Sequence, residues 1–567
     1  MKQIINASDW PSIIVGQQQI FSPNSNILTQ LTLNPSTEFW TTTFSEFACV
    51  IINIIAFEKN FTPKKILFES IGDVQAIRDH FGLEPFFYYN DQDKFIFASN
   101  LPSIIKCLGY TPPLNYTQIH NMLTNCCIPS ATYSDETNYI DIFRVEPGCI
   151  LTFSPNNILV HKKRYWTLDG GSNFNNYNNV ILYPKLEDYL EHFNHLLLEG
   201  IQLQCMGAKA VAAEFSGGLD SSTVLTGIQQ LNLIPDLFMH TAPPNSSEID
   251  DSNYAKIVID YYKIQNINFV GAQDFNLLDT IKANSQLFAG TPSYIFPICA
   301  NNIHQAVADS KHTILFSGFG GDECVSNHVP ISIFLRELLD NNRPVKAWQE
   351  LYMHYVVSQQ PNLIPSTIKR ILTILKNCHP FATQLTLSIK QKYLNSLIKK
   401  FAPHKPETFS LFNALNYRTI SELEYQQLQG SISHHIRHRV EESAIVAKHY
   451  GFSYKYPLLY PPLVEFYHRL PLFLKRDLGV NRLLIRNHLA KYLPQEVYQK
   501  HQKIGGIMPA TMNRIKQEYN QNYYTAEFTN LPYEKQAAQI RQKYSNNLHT
   551  ILTQNILLYG LKNFKRG

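Results

Sequence analysis

The sequence predicts a two-part protein of the α/β and α+β class, in which a β-rich N-terminal domain precedes a doubly wound parallel sheet and a helical C-terminal region. Two observations support this prediction. Up to about residue 165 the apolar runs are short and separated by turn residues, which is typical of strands. From residue 184 onward, apolar runs of strand length alternate with amphipathic stretches of helical length, which is typical of a parallel sheet covered by helices on both faces.

Length and composition limit the possible classes of protein. A chain of 567 residues is too long for one hydrophobic core, so two or three domains are expected. The net charge of +4 and the scattered Lys and Arg residues argue against a nucleic-acid partner. The longest apolar run, 47–57, is about half of what a bilayer crossing needs, and no secretory signal is visible. We therefore expect a cytoplasmic protein without a membrane partner. The nine cysteines show no spacing typical of metal ligands.

Short apolar runs between turns define the strands of the N-terminal part. The predicted strands are 12–15, 48–56, 86–89, 95–98, 149–153 and 159–160. Residues 167–183 contain adjacent glycines and several asparagines, a composition typical of a linker. The predicted domains are therefore 1–166 and 184–567.

The C-terminal part begins with a predicted helix from Pro184. The elements expected after it are a strand from about 209, a helix after 218, a strand at 237–241, a helix at 252–262, a strand at 267–270, a helical region to about 308 and a strand at 313–316. Beyond residue 340 we expect helices throughout. In a doubly wound sheet the ligand binds at the carboxyl ends of the strands, so the loops after the strands are the candidate site.

A glycine turn follows the first strand of this part. The apolar run 210–215 ends at Ser-Gly-Gly, and a helical pattern begins at once. This geometry points successive backbone N–H groups at one place, where the helix N-terminus adds partial positive charge. The candidate phosphate-binding residues of this first turn are Ser216, Gly217, Gly218, Asp220, Ser221 and Ser222. A carboxylate beside a phosphate site indicates Mg²⁺ between them, and the alternative is an ordinary β–α turn.

A second glycine turn repeats this design about a hundred residues later. The apolar run 312–316 is followed by Ser317, Gly318 and, after two more glycines, Asp322. If the two strands are neighbours in a parallel sheet, the turns can hold one magnesium triphosphate between them. The sequence therefore predicts ATP and Mg²⁺ as ligands, with Asp220 and Asp322 on the metal. Capping of helices is the alternative role of both aspartates.

The two turns resemble known motifs. Ser-Gly-Gly-Leu-Asp-Ser-Ser at 216–222 is similar to the pyrophosphate loop of the ATP pyrophosphatases, and Ser-Gly-Phe-Gly-Gly-Asp-Glu at 317–323 is similar to the second phosphate-side motif of asparagine synthetases. The resemblance implies the adenine nucleotide alpha-hydrolase fold, attack of a carboxylate on the α-phosphate of ATP, release of pyrophosphate, and amide formation by an amine. It also implies that adenine packs near Thr241, at the end of the neighbouring strand.

The N-terminal part resembles the glutaminase domain of the same family, which has an Ntn-hydrolase fold. The similar segments are 77–89, 95–99, 145–148 and 164–166. The family uses a cysteine at position two as its nucleophile, whereas this chain has Lys2 there and its first cysteine is Cys49. We therefore expect this domain to be a structural relic of a glutaminase or a recognition surface.

A block near the C-terminus is similar to the family segment that shapes the aspartate pocket. Ser453, Lys455 and Tyr460 stand where the family has Glu, Arg and Asp, which argues against aspartate as the substrate.

Two catalytic assignments follow from the resemblance. Lys503 matches the lysine of a family motif, which implies a role beside the phosphates or the developing oxyanion, and Lys500 is the competing lysine. Two residues after Ser317 the family carries a glutamate or a tyrosine that serves proton transfer, whereas this chain has Phe319. Glu441 is the candidate general base, with partial burial expected to raise its pKa. A surface carboxylate in a salt bridge is the alternative role of Glu441.

Because no ammonia source is visible, the amine is expected to belong to the substrate. The chain is most similar in character to family members without the cysteine, the lasso peptide cyclases and β-lactam synthetases. The expected reaction joins a peptide or small-molecule carboxylate to an amine, with macrolactam closure as the first candidate. A leader-peptide-binding protein and a maturation protease are the expected partners. The alternatives are asparagine synthesis from aspartate with ammonia or glutamine, and a catalytically weak nucleotide-binding scaffold.

Overall fold

The computed structural model describes most of the chain between residues 64 and 357 and between 436 and 499. The described residues are 12–20, 40–44, 64–68, 74–90, 95–125, 135–153, 159–166, 181–205, 207–241, 252–271, 276–293, 296–326, 329, 331–340, 343–357, 436–499, 539 and 548–564. The predicted strand 48–56, linker residues 167–180, Lys500 and Lys503 lie outside these ranges.

The N-terminal part contains two sheets, as its short apolar runs predict. Its strands are β1 (Ser12–Ile20), β2 (Trp40–Phe44), β3 (Lys64–Phe68), β4 (Val74–Arg78), β5 (Phe87–Asn90), β6 (Phe95–Ala98), β7 (Ile142–Arg144), β8 (Cys149–Phe153) and β9 (Leu159–Arg164). The helices α1 (Leu101–Leu108) and α2 (Tyr116–Asn125) lie between β6 and β7. One sheet has the order β2-β1-β6-β5-β7, and the other has the order β3-β4-β8-β9.

The C-terminal part alternates strands and helices. Its first elements are α3 (Leu186–Cys205), β10 (Ala210–Glu214), α4 (Leu219–Gln230), β11 (Ile234–Thr241), α5 (Ser252–Tyr262), β12 (Ile267–Gly271), α6 (Leu277–Leu287), α7 (Phe296–Cys299), α8 (Asn301–Asp309) and β13 (Ile314–Phe316). A π-helical turn (Gly321–Val325) precedes α9 (Ile331–Asp340) and α10 (Pro344–Val357). The boundaries lie within a few residues of those predicted.

The region beyond residue 340 is not helical throughout, which corrects the prediction. After α10, its described elements are α11 (Arg437–His449), β14 (Ser453–Lys455), a 3-10 turn (Pro457–Leu459), α12 (Pro461–His468), α13 (Leu472–Lys475), β15 (Arg476–Asp477), β16 (Val480–Asn481), α14 (Leu483–Leu489), α15 (Gln495–Tyr498) and α16 (Leu548–Asn563). The strand β14 is held by parallel pairing with β13, in which Leu315 is opposite Tyr454. Its sequence Ser-Tyr-Lys has no apolar alternation that would identify a strand.

The C-terminal sheet is parallel throughout and has the order β12-β11-β10-β13-β14. Its central strands are fully buried, with Val211 and Ala212 of β10 and Leu315 and Phe316 of β13 all at 0% exposure. Such burial on both faces is the reason that these strands are continuous apolar runs. The strand order reverses between β10 and β13, and ligands of doubly wound folds bind at this switch point. The predicted doubly wound architecture is confirmed.

Within the described ranges, no helix combines the length and the apolar character needed to span a membrane. The cysteines there are free thiols: Cys107, Cys149, Cys205, Cys299 and Cys324.

Candidate functional site

The two glycine turns contact each other at the switch point of the sheet. The strands that precede them, β10 and β13, are parallel neighbours, with Ala213 opposite Phe316. A β-carbon on Gly318 would lie only 2.7 Å from the backbone N of Ser221 and 3.0 Å from the carbonyl C of Asp220. Only glycine permits this approach, so the second turn packs directly onto the start of α4.

The two predicted metal ligands lie at this contact. A β-carbon on Gly321 would overlap the carboxyl group of Asp220, so the backbone of the second turn lies against that carboxylate. The hydroxyl of Ser326 donates to Oδ1 of Asp220. Asp322 lies in the π-helical turn, and its carboxylate and that of Asp220 are both paired with one arginine, Arg482.

Arg482 is a site residue that the sequence reasoning missed. Its guanidinium lies 3.5 Å from Oδ2 of Asp220, contacts Asp322 and is 6% exposed as a residue. Its backbone adopts φ of 64°, immediately before α14. Since 262 residues separate it from Asp220, no local motif pointed to it. The structure thus places a cation beside the predicted phosphate and metal site.

The first turn fits a phosphate group. Gly218 caps α4 without a side-chain hydrogen bond, and the first-turn amides of a helix have no partner within the helix itself. The backbone N–H of Gly218 donates to Oγ of Ser216 at 3.3 Å, and the hydroxyls of Ser216 and Ser221 lie 3.2 Å apart. Ser222 is fully buried, and its hydroxyl has no hydrogen-bond partner among the described residues. Donors for an anion are therefore concentrated at this turn.

The described residues contain no group of three or more His, Cys, Asp and Glu side chains that could hold a metal. Asp220 and Asp322 are two carboxylates, which is sufficient for Mg²⁺ because this ion keeps water ligands and takes others from the phosphates of a substrate. The donor set therefore fits a magnesium ion that arrives with a nucleotide.

The structure describes only some of the other predicted residues. Thr241 is the last residue of β11, the strand beside β10, and it pairs with Gly271 of β12. Lys503 and its competitor Lys500 lie outside the described residues, so their roles stay predictions. Ser317, Gly318 and the residues of the first turn are brought together, but their binding roles also stay predictions.

A second polar cluster lies beneath the glycine turns. Glu214, the last residue of β10, accepts hydrogen bonds from Oγ of Ser317 and from the hydroxyl of Tyr454, both at 2.7 Å. Nε2 of His304 lies 2.9 Å from the same tyrosine oxygen. Burial lowers the pKa of His304 to about 3, so the ring is neutral, and burial raises the pKa of Tyr454 well above its usual value. Since the tyrosine proton is donated to Glu214, Nε2 of His304 is the donor to Tyr454.

Apolar and cationic groups occupy the place where the family carries its proton-transfer residue. The ring of Phe319 packs edge-on against Tyr456, with 5.9 Å between centroids. The guanidinium of Arg439, from α11, lies 5.2 Å from the centre of the Phe319 ring. A phenyl ring cannot accept a proton, so this position does not supply a base.

The expected rise in the pKa of Glu441 is wrong. The side chain is buried between the two parts of the protein, 2.7 Å from Nη2 of Arg78 and 2.8 Å from Nε of Arg144. Burial opposes ionisation of the carboxyl group, but the guanidiniums of Arg144 and Arg78 outweigh it, and the pKa of Glu441 is lowered. Each carboxylate oxygen is bound to an arginine. These contacts favour a structural ion pair over a catalytic base.

The block that departs from the family pattern lies beside the second turn. The backbone N–H of Ser317 donates to the carbonyl of Lys455 at 2.9 Å, which fixes β14 against this turn. Burial lowers the pKa of Lys455. The side chain of Tyr460 lies against Gly200 of α3, where a β-carbon would be 3.0 Å from it.

Comparison with known proteins identifies related families. The family model described as asparagine synthase matches residues 192–548, more than half of the chain. The model described as glutamine amidotransferase domain matches residues 66–166. A protein of Methanocaldococcus jannaschii named putative asparagine synthetase (glutamine-hydrolyzing) 2 is 28% identical over 269 residues, which cover 46% of this chain and 47% of that protein. The chain thus spans about half of the length of this relative.

Proposed function

The chain belongs to the asparagine synthase family, and we propose that it is an ATP-dependent carbon–nitrogen ligase. In this reaction a carboxylate is activated on the α-phosphate of ATP, pyrophosphate leaves, and an amine forms the amide. The observation that carries the proposal is the direct contact of the two glycine turns at the switch point, with Asp220 and Asp322 beside one another. One nucleotide site is built from both motifs.

Different residues of the site bind the phosphates and the metal. The first-turn amides of α4, with the hydroxyls of Ser216, Ser221 and Ser222, bind phosphate oxygens. Asp220 and Asp322 hold Mg²⁺, which neutralises phosphate charge when it is bound. Arg482 pairs with both carboxylates and adds a positive charge on the same side. Ser317 and Gly318 bring the second turn against the first.

We propose macrolactam closure of a peptide as the specific reaction. The departure from the family pattern that supports it lies in the aspartate block, where Ser453, Lys455 and Tyr460 stand in place of Glu, Arg and Asp. These substitutions replace the side chains that shape the aspartate pocket in the family. An amine carried by the substrate itself makes a glutaminase unnecessary. We propose a leader-peptide-binding protein and a maturation protease as its partners.

Asparagine synthesis is the second candidate, favoured by the family match and by the name of the Methanocaldococcus relative. It requires side chains that bind aspartate near β14. At these positions the chain does not have the acidic and arginine side chains of the family. A nucleotide-binding scaffold without turnover is the third candidate, because Phe319 supplies no base.

Pyrophosphate release tests the proposal. Pyrophosphate is measured with ATP, Mg²⁺ and either aspartate plus ammonia or a synthetic peptide that carries a free amine and a carboxylate. Release that needs the peptide and disappears in Asp220→Ala supports macrolactam closure. Release with aspartate and ammonia supports asparagine synthesis, and bound ATP without release under either condition supports the scaffold.

A further inference from the structure

Arg439 is a buried cation in the first turn of α11. The residue is 4% exposed. Its guanidinium lies over the ring of Phe296, 5.2 Å from the ring centre of Phe319 and 6.0 Å from that of Tyr454. Its Nη1 donates to the hydroxyl of Ser443, one turn along the same helix. The charge therefore sits among aromatic rings and one hydroxyl.

Among the described residues, no carboxylate lies within ion-pairing distance of Arg439. The other buried arginines around the sheet are paired: Arg78 and Arg144 with Glu441, Arg482 with Asp220 and Asp322, and Arg476 with Glu350. The nearby carboxylate of Glu214 accepts its hydrogen bonds from Ser317 and Tyr454 instead. Arg439 is thus the exception in this part of the fold.

A buried guanidinium without a carboxylate partner is unfavourable unless a ligand supplies the opposite charge. Transfer of a charge from water to a low-dielectric interior costs free energy that aromatic faces recover only in part. A guanidinium carries five N–H donors in a planar fork, and this fork matches a carboxylate in bidentate geometry. The chemical group that best satisfies Arg439 is therefore a carboxylate.

The position of Arg439 connects it to the nucleotide site. Phe319, in contact with the guanidinium, is the residue after Gly318 of the second turn. Tyr454, on the other side, is bonded to Glu214, which is bonded to Ser317. The helix that carries Arg439 is fixed two residues later, where Glu441 is held by Arg78 and Arg144. The cation therefore lies beside the carboxyl edge of β10 and β13.

We propose that Arg439 binds the carboxylate of the acid substrate, beside the rings of Phe296, Phe319 and Tyr454. The inference rests on the proposed function, in which a carboxylic acid is the group that is activated. The side chains around the guanidinium are aromatic, so the acid is one whose carboxylate is attached to an apolar carbon skeleton. The assignment gives Arg439 a substrate-binding role that no local motif in the sequence indicates.

Thermal unfolding with phenylacetate tests this inference, since the probe combines a carboxylate with an apolar ring. The wild type, Arg439→Met and the surface control Arg164→Met are compared with millimolar phenylacetate, with neutral phenylacetamide, and with sodium chloride at matched ionic strength. Phenylacetate is expected to raise the unfolding temperature of the wild type and of Arg164→Met by several degrees. Phenylacetamide and the salt are expected to have no such effect.

Arg439→Met is expected to lose the response to phenylacetate and to unfold, without any ligand, at the wild-type temperature or above it. If this variant does not fold, the same measurement is made on Arg439→Lys, because lysine keeps the charge but lacks the planar fork of the guanidinium. The phenylacetate concentration for half of the maximal shift is then expected to rise about tenfold.

Equal responses of wild type and the Arg439 variants would overturn the inference, as would the absence of any phenylacetate effect on the wild type. The measurement contains no nucleotide. Its failure is therefore distinct from a failure of the proposed ligase activity, which appears as missing pyrophosphate release.

Discussion

The carboxylate of Glu441 lies 2.7 Å from the guanidinium of Arg78, although 363 residues separate them in the chain. Arg144 binds the other oxygen of the same carboxylate. Trp166, whose indole N–H donates to Glu465 at 2.7 Å, and Tyr139, whose hydroxyl donates to the carbonyl of Ala289 at 2.6 Å, also join the two parts. The N-terminal part therefore supports the helix α11 that carries Arg439, whether or not it keeps any chemistry of its own.

Replacement of Glu441 by glutamine is expected to destabilise the protein strongly. The change removes the charged carboxylate that both buried guanidiniums bind, an expected loss of about 3 to 5 kcal/mol in the free energy of unfolding. Urea unfolding at neutral pH measures it, with the exposed Glu496→Gln as the matched control. A loss below about 1 kcal/mol would contradict the importance of the ion pair. Unchanged stability together with abolished turnover would instead restore Glu441 as the general base.

The same carboxylate is expected to make the free energy of unfolding fall at acidic pH. The arginines lower the pKa of Glu441 in the folded state below its value in the unfolded chain, which is about 4.3. Its stabilising contribution is therefore fully present above that pH and is lost as the pH falls through the lowered folded-state value. Unfolding free energies of wild type and Glu441→Gln should converge below about pH 4. A gap between them that stays constant as the pH falls further, through the lowered folded-state pKa, would contradict this origin.

Alanine at Gly318 is expected to separate the two glycine turns. The added β-carbon would lie 2.7 Å from the backbone N of Ser221, and neither backbone can yield without moving its strand. We expect the rise in unfolding temperature caused by ATP with Mg²⁺ to disappear in Gly318→Ala. Gly109→Ala is the control, because Gly109 has φ of 73° but open space around it, so that the change adds backbone strain alone. An unchanged ATP response in Gly318→Ala would mean that the turns do not form one site.

The sequence predicted the parts of the fold that have local signals. Apolar runs followed by glycine turns located β10, β13 and the start of α4, because a buried strand and a helix start differ in composition from their surroundings. The strand β14 had no such signal, since it is three residues long and pairs with β13, which lies far away in the sequence. The helical prediction for that region failed for this reason.

The electrostatics of the site could not be read from the sequence. Arg482 lies far along the chain from Asp220 and Asp322, and Arg78 and Arg144 lie hundreds of residues from Glu441. The pKa of a buried carboxyl group depends on whether burial or such distant cations dominate. Burial alone was expected to raise the pKa of Glu441, and the arginines reverse the sign.

Arg482→Met is expected to strengthen the binding of Mg²⁺ without nucleotide. The arginine pairs with Asp220 and Asp322, and its removal takes away a cation that competes with Mg²⁺ for these carboxylates. Thermal unfolding with and without millimolar magnesium chloride should show a larger magnesium-dependent rise in the variant than in the wild type. Lys311→Met, an exposed change away from the site, should behave as the wild type. Equal magnesium effects in all three proteins would show that the arginine does not shield these carboxylates.

Calorimetric titration with ATP tests the central claim most directly, that two glycine turns and two aspartates form one magnesium nucleotide site. The wild type, Asp220→Asn and Asp322→Asn are titrated with ATP in the presence and absence of Mg²⁺. The expected result is binding by the wild type that depends on Mg²⁺, and an affinity at least about tenfold lower in each variant. Binding of equal affinity in all three proteins, or no binding by the wild type with Mg²⁺ present, would contradict the account.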